Sequence, residues 1–139
     1  MARSRYLADT SVFARLSRPS VAAAFSPLAA GGIVALCAPV AFELGYAARS
    51  PDDYRAVADR LSSFSPVPTT DADHRRALEI QAGIAARSQH RALSMVDALV
   101  AAVAEARDLV VLHYDADFEL VAEITGQRQE WVVPRGTAD

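Results

Sequence analysis

One stretch, residues 94–118, constrains the fold of this chain more than any other, because it joins a helix pattern to a buried-strand pattern. Its first half carries apolar residues at helical spacing, namely Val96, Leu99, Val100 and Val103. Its second half contains an unbroken apolar run at 109–112, which is typical of a strand buried on both faces. Asp115 and Asp117 follow that run directly. The stretch therefore predicts an α/β fold with acidic side chains at the end of a strand.

Similar strand and helix patterns alternate along the rest of the chain. Strand patterns occur at residues 5–8, 33–38, 65–68 and 130–133, with helix patterns between them. Pro66 and Pro68 place the third of these strands at an edge of the sheet, because proline cannot donate to a central ladder. The predicted order is β-α-α-β-α-α-β-α-α-β-α-β, folded as a mostly parallel central sheet flanked by helices.

Length and composition exclude several classes of protein. The 139 residues predict a single domain, residues 1–139, with 134–139 as a flexible tail. The formal net charge is −3, which argues against nucleic-acid binding by bulk charge but leaves a local arginine groove open, since all 14 basic residues are arginine. The longest apolar stretch, 31–42, is shorter than the roughly 20 residues of a membrane span.

The cysteine and histidine content bears on location and on metal type. Cys37 is the only cysteine, so no disulfide can form within the chain, and no secretory signal pattern is visible. We therefore expect a cytoplasmic protein that does not enter a membrane. His74 and His90 form no zinc-ligand pattern with Cys37, which argues against a zinc site.

Acidic side chains occur where the predicted fold could bring them together. Asp9 follows the first strand, Asp115 and Asp117 follow the fourth, Asp97 begins a helix, and Glu43 lies in an otherwise apolar helical turn. The ligand crevice of an open parallel sheet lies beyond the carboxyl ends of its strands. If the first and fourth strands are neighbours, Asp9 and Asp115 meet there. Clustered carboxylates need a cation or a proton, and oxygen ligands alone favour Mg²⁺ or Mn²⁺.

Each acidic residue also has a purely structural interpretation. Asp9 could cap the helix that follows it, and Asp115 or Asp117 could cap the helix at 118. Asp97 follows Ser94 at capping-box spacing, and Glu43 could serve the helix dipole. Spacing alone leaves the metal site and these caps as equal alternatives.

Four ordered motifs resemble those of the PIN domain, and more narrowly of the VapC toxins of bacterial type II toxin–antitoxin pairs. The motifs are YLADTSV at 6–12, PVAFEL at 39–44 with ARS at 48–50, DALVAAVA at 97–104, and LHYDADF at 112–118. The similarity extends from residue 6 to about residue 133, and the ordered set is far more specific than any one motif. The resemblance implies a PIN-like three-layer sandwich.

The resemblance also implies an activity, a Mg²⁺-dependent endoribonuclease in which Mn²⁺ can substitute. The implied catalytic residues are Asp9, Glu43, Asp97 and Asp115. Asp9, Asp97 and Asp115 would hold the metal, with Glu43 and Asp117 as further candidate ligands. Glu43 would orient the attacking water, and the products would carry a 5′-phosphate and a 3′-hydroxyl. The implied partners are an RNA substrate, a VapB-like antitoxin that places a cation in the acidic pocket, and a second copy in a homodimer.

One position departs from the resemblance. His113 stands where many relatives have threonine or serine, two residues before Asp115. We consider His113, Arg15 and Arg91 as candidate substrate-binding residues; the alternative for His113 is a strand-end residue fixed by a hydrogen bond, and for the arginines a solvated surface.

A rival function remains open, a non-catalytic regulatory or scaffold domain with a residual ion-binding acidic pocket. The absence of lysine argues against a receiver-like domain, which needs one near its aspartate.

Overall fold

Within residues 3–139, which the computed structural model describes, five parallel strands form a central sheet. The strands are β1 (Tyr6–Ala8), β2 (Val34–Cys37), β3 (Ser65–Val67), β4 (Val110–His113) and β5 (Gln129–Trp131). Their order across the sheet is β3-β2-β1-β4-β5, and every neighbouring pair is parallel. The parallel α/β sheet predicted from the sequence is confirmed.

Seven α-helices connect these strands in the described part of the chain. They are α1 (Thr10–Phe13), α2 (Pro19–Ala30), α3 (Ala38–Tyr46), α4 (Pro51–Leu61), α5 (Asp71–Ala85), α6 (Met95–Ala106) and α7 (Asp117–Thr125). The side chains of Ser50, Thr70 and Ser94 cap α4, α5 and α6 by accepting a backbone N–H bond. The element order is the predicted one, with a short 3₁₀ helix, His90–Ala92, between α5 and α6.

Helices cover both faces of the sheet. On one face α5, α6 and α7 pack against one another, and α6 also contacts β1 and β4. The chain moves from β1 through β2 to β3 in one direction and from β4 to β5 in the other. By the right-handed crossover rule the connections that contain α1 to α4 run on the opposite face, with α3 also reaching α6. The result is the expected three-layer sandwich. No helix of residues 3–139 is both long enough and apolar enough to cross a bilayer.

Helix α6 is buried around most of its circumference, whereas the sequence predicts one apolar stripe. Residues 98–104 are all buried, and α3, α5, α7, β1 and β4 contact this helix. Four of these seven residues are alanines, whose small side chains let neighbouring elements approach from several sides. Asp97 lies in the first turn of this central helix, so the packing of α6 fixes where its carboxylate is held.

Strand β3 lies at the edge of the sheet, as its two prolines predict. Pro66 is opposite Leu36 of β2, and β3 has no strand on its other side within residues 3–139. Its burial agrees with this position, because Ser65 and Pro66 are exposed and Val67 is half-buried.

Residues 134–139 fold back onto the domain, which differs from the flexible tail predicted from the sequence. The Tyr114 hydroxyl accepts hydrogen bonds from the backbone N–H groups of Gly136 (3.0 Å) and Ala138 (2.9 Å), and it donates one to Asp139 Oδ1 (2.7 Å). Ala138 is 4% exposed. These bonds join residues 22 to 25 positions apart in the sequence, and local sequence patterns do not predict contacts at that separation.

Candidate metal centre

The carboxyl ends of β1 and β4 define the position of the site. The two strands are neighbours, with Ala8 opposite Leu112, and the Asp9 N–H donates to the Leu112 carbonyl at 2.9 Å. The connection after β1 leads to one side of the sheet and the connection after β4 leads to the other. A crevice forms where two such connections diverge, and ligands of open α/β sheets bind there.

Three carboxylates meet in this crevice. Asp9 from the end of β1, Asp97 from the first turn of α6 and Asp115 from the loop after β4 each place an oxygen within 4.8 Å of the other two. The adjacency of β1 and β4 was the condition on which the sequence argument depended, and the structure meets it. Asp97 reaches the same point because α6 packs on both of these strands.

Asp9 serves as a cap and as a member of the cluster. Its Oδ2 accepts hydrogen bonds from the Ser11 N–H (3.0 Å) and the Ser11 hydroxyl (2.7 Å), which caps α1. Its Oδ1 is buried without a hydrogen-bond partner in the described residues, and the residue is 2% exposed. A buried carboxylate oxygen without a donor is unfavourable. The capping and metal-binding interpretations of Asp9 are therefore compatible, since each needs a different oxygen.

The electrostatics of the cluster are those of excess negative charge. Burial, followed by the charges of Asp9 and Asp115, raises the pKa of Asp97 from 3.8 to about 7, against the opposing effect of hydrogen bonds with Ser94. Burial also raises the pKa of Asp9, with a smaller contribution from Asp115. Among the ion pairs of residues 3–139, none includes Asp9, Asp97 or Asp115. An oxygen-only donor set with no protein cation fits a hard divalent ion such as Mg²⁺.

Glu43 lies outside this group of three and contacts Thr10. It is half-buried on α3, and its Oε1 accepts a hydrogen bond from the Thr10 hydroxyl, next in sequence to Asp9. Asp117 also lies outside the group; its N–H, the first of α7, donates to Asp115 Oδ1 at 2.9 Å, while the N-cap position itself is Ala116, which makes no side-chain cap bond. Burial and the charge of Asp115 raise the pKa of Asp117. The expectation that Glu43 and Asp117 contact the metal stays a prediction.

Ser11 and Thr10 are parts of the site that the sequence argument missed. The Ser11 hydroxyl donates to Asp9 and accepts from the Tyr114 N–H at 2.8 Å, which ties the end of β1 to the end of β4. The available signal was two hydroxyl residues directly after the strand-end aspartate.

His113 does not contact solvent, which favours the alternative of a fixed strand-end residue, and its contact with substrate stays a prediction. It is 0% exposed, and its Nδ1 accepts the Asp115 N–H at 3.0 Å. Its Nε2 is hydrogen-bonded to the Gln129 side chain, and burial lowers its pKa. A neutral imidazole in this arrangement positions the backbone of Asp115.

The two candidate arginines lie in different surroundings. Arg15 lines a polar cleft that also includes Asp115. Arg91 is exposed on the 3₁₀ helix before α6. Their contact with substrate stays a prediction.

Comparison with known proteins shows the family of this chain. The family model described as PIN domain matches residues 6–124. The chain belongs to the PIN domain family. It is 50% identical over 135 residues to Ribonuclease VapC51 of Mycobacterium tuberculosis, a match that covers 97% of this chain and 98% of that protein. Ribonuclease VapC21 of the same species is 40% identical over 136 residues, covering 97% and 99% of the two chains. The PIN chain is thus similar over nearly its whole length to proteins named Ribonuclease VapC.

Solved structures support the fold of this PIN domain. A chain of DNA-bound VapBC from Salmonella typhimurium superposes with a TM-score of 0.75 at 20% identity, covering 94% of this chain and 99% of that one. A chain of VapBC2 from Rickettsia felis, bound to a promoter DNA fragment, gives 0.74 at 16% identity, covering 91% and 97%. At these identities the likeness establishes the three-layer fold alone.

Proposed function

We propose that this PIN domain is a divalent-metal-dependent endoribonuclease, the toxin of a type II toxin–antitoxin pair. The observation that carries the proposal is the group formed by Asp9, Asp97 and Asp115, within 4.8 Å and without a neutralising cation from the described residues. The relatives named Ribonuclease VapC support RNA as the substrate class. Mg²⁺ suits the oxygen-only ligand set, and Mn²⁺ can replace it.

Each acidic residue has a distinct role in this proposal. Asp9, Asp97 and Asp115 hold the ion, and Asp117 is a further candidate ligand. A bound Mg²⁺ would stabilise the charge that develops on the scissile phosphate and lower the pKa of the attacking water. Glu43, fixed by the Thr10 hydroxyl, orients that water and accepts its proton. The products then carry a 5′-phosphate and a 3′-hydroxyl.

The decisive experiment compares the parent protein with Glu43→Gln on total bacterial RNA in Mg²⁺. The amide has nearly the same shape but cannot accept the proton, so we expect cleavage to fall about 10²–10⁴-fold while folding and metal affinity remain. Glu123→Gln is the matched control, since Glu123 forms a surface ion pair with Arg87. The measurement is the yield of discrete fragments that bear a 5′-phosphate.

A chelator provides the second arm of this experiment. Cleavage by the parent must stop when the divalent ion is removed. Cleavage that survives both the chelator and Glu43→Gln would rule out the metal-nuclease mechanism. A parent protein that binds Mg²⁺ but cuts no RNA would favour the regulatory or scaffold alternative.

The partners in this proposal are a VapB-like antitoxin and a second copy of the chain, in the cytoplasm. The neighbouring VapBC structures are toxin–antitoxin complexes, and the uncompensated acidic cluster could accept a cation from an antitoxin. Large apolar side chains are exposed on α3 and α4 and on α5 and α6, namely Phe42, Tyr46, Tyr54, Leu78 and Met95. Surfaces of this kind are covered by partner proteins. Light scattering of the purified protein, alone and with the antitoxin, tests both assemblies.

A further inference from the structure

A polar cleft of about 510 Å³ opens beside the acidic cluster. Its walls come from α1, the end of β4, β5 and the folded-back segment 134–139. Asp115 and Ser11 line the cleft, and both also belong to the candidate metal centre, Ser11 through its hydrogen bonds to Asp9. The cleft is therefore a direct continuation of the site at which a phosphate would be cleaved.

Arg15 is fixed in this cleft and is not neutralised there. Its guanidinium lies over the Tyr114 ring, with Cζ 4.5 Å from the ring centroid, and its Nη1 makes only a long contact of 3.4 Å with the Ser11 carbonyl. Its Nε is buried without a hydrogen-bond partner, and no ion pair among residues 3–139 includes Arg15. A fixed guanidinium with unused donors matches the geometry of a phosphate group.

Arg135 supplies a second positive charge to the same cleft. It is 65% exposed, its Nη1 lies 3.6 Å from Glu119 Oε1, and its guanidinium lies over the Trp131 ring at 5.6 Å. The Glu119 oxygen also accepts the Trp131 indole N–H at 2.9 Å, so the carboxylate is shared. An exposed ion pair to a shared oxygen is weak, and Arg135 can exchange it for a phosphate.

We infer that this cleft binds the RNA phosphate adjacent to the scissile one, with Arg15 and Arg135 as its ligands. The inference rests on the proposed function, since it needs RNA to lie across the acidic cluster. The chain as a whole carries a net charge of −3, so bulk attraction does not hold RNA there. Two arginines next to Asp115 offset the repulsion between the acidic cluster and a polyanion at the point where it is strongest.

Asp139 is the opposing charge in this cleft. It lines the cleft, and its Oδ1 accepts the Tyr114 hydroxyl bond. A carboxylate there repels the phosphate, while an asparagine keeps the acceptor oxygen and removes the charge. The inference therefore predicts opposite effects for two residues that line the same cleft. Loss of the Arg15 charge weakens RNA binding, and Asp139→Asn strengthens it.

The test measures RNA binding by the non-cleaving Glu43→Gln protein in Mg²⁺. The probe is a fluorescent oligoribonucleotide that spans a cut mapped in total bacterial RNA with the parent enzyme. We expect Arg15→Gln and Arg135→Gln each to weaken binding about tenfold. Each should also reduce the slope of log K against log salt by about 0.7, the value for one phosphate contact on a single strand. Arg87→Gln is the matched control, because Arg87 also pairs with a glutamate of α7, Glu123.

Two further measurements separate binding from folding and from metal affinity. The Mg²⁺ affinity of each variant, from calorimetry, should equal that of its parent, since neither arginine is a metal ligand. If Arg15→Gln fails to fold, Arg135→Gln carries the test, because its side chain is exposed. If the folded arginine variants keep the RNA affinity and the salt slope of the Glu43→Gln protein, the inference is wrong. It is also wrong if Arg87→Gln weakens RNA binding as much as they do. Those outcomes leave cleavage by the parent intact, whereas a parent that cleaves no RNA overturns the proposed function and this inference together.

Discussion

Asp73 and Asp9 are both 2% exposed, yet Asp73 has a cationic partner and Asp9 has none among the described residues. Asp73 forms a capping box with Thr70 at the start of α5, and Arg107 donates to Oδ1 and Oδ2 at 3.2 and 3.0 Å. Burial alone would raise the pKa of Asp73, but the hydrogen bonds from Arg107 and Thr70 outweigh it and lower the pKa. The protein itself thus compensates this charge completely.

Asp9 lacks such compensation. Its pKa is raised by burial, one oxygen has no partner among the described residues, and its charged neighbours are Asp97 and Asp115. A protein tolerates such a group where a ligand supplies the missing charge, so uncompensated burial indicates function and compensated burial indicates structure.

The largest expected difference is in catalysis. Asp9→Asn should lower kcat/KM for RNA cleavage about 10³-fold, because a catalytic metal contributes several kcal/mol and one of its anionic ligands is lost. Asp73→Asn should leave kcat/KM of the folded protein near that of the parent. Both are measured with the same RNA at a temperature where each variant is folded. Full activity in Asp9→Asn would show that Asp9 is only a helix cap.

For the free energy of unfolding without metal, we expect Asp73→Asn to have the larger effect of the two variants. Asp73→Asn should lower the free energy of unfolding by about 3 kcal/mol, since it leaves the half-buried Arg107 with a neutral partner. Asp9→Asn should leave it unchanged or raise it, because the repulsion within the cluster falls and the amide oxygen can still accept the Ser11 N–H. Urea denaturation in the presence of a chelator measures both values. A larger loss in Asp9→Asn than in Asp73→Asn would contradict the comparison.

The acidic cluster can be predicted from the sequence more completely than the surroundings of Asp73. The positions of Asp9 and Asp115 follow from strand patterns that end in acidic residues. Asp97 at a helix start and Glu43 in an apolar turn are also candidates from the sequence, and the resemblance implies that all four share one pocket. The Thr70–Asp73 cap is a local pattern and is also readable. Arg107, in contrast, lies 34 residues from Asp73, and nothing in its own surroundings in the sequence connects the two.

The same limit explains what the sequence did not reveal around the site. The burial of His113 against Gln129, the Thr10–Glu43 bond and the contacts of Tyr114 with 134–139 all depend on how separate elements pack. Periodicity identifies which face of an element is apolar, but it does not identify which polar side chains of two elements meet. The flexible tail is predicted because chain ends are usually poorly ordered, and the bonds of Tyr114 to residues 134–139 differ from that prediction.

Divalent ion should stabilise the protein only through the uncompensated carboxylates, Asp9, Asp97 and Asp115. At 100 times its dissociation constant, Mg²⁺ should add about 2.7 kcal/mol to the free energy of unfolding of the parent. Asp97→Asn should lose most of this gain, whereas Asp73→Asn should keep it on top of its lower baseline. Thermal unfolding with and without Mg²⁺ measures the difference. An equal gain in the parent and in Asp97→Asn would place the ion elsewhere.

The smallest expected effect is the pH dependence of stability without metal, which the raised pKa of Asp97 and the lowered pKa of His113 affect with opposite signs. The pKa of Asp97 is about 7 in the folded protein and near 3.8 when unfolded, so the folded state binds this proton more tightly. Its stabilising effect is complete below about pH 4 and is lost as the pH rises to about 7. His113 acts in the other direction: burial lowers its pKa from 6.5, so its contribution is complete above that pH and is lost as the pH falls through its folded-state pKa.

Asp97→Asn separates these two contributions, because it removes the first and leaves the second. Between pH 5 and pH 7.5, in chelator, the free energy of unfolding should fall more, or rise less, in the parent than in Asp97→Asn. Saturating Mg²⁺ should reverse the sign for the parent, since the carboxylates bind the ion only when deprotonated. Urea titrations at the two pH values measure all of these quantities. The same pH dependence in both proteins would mean that Asp97 is already charged in the folded state at pH 5, and that its surroundings compensate it as completely as Arg107 compensates Asp73.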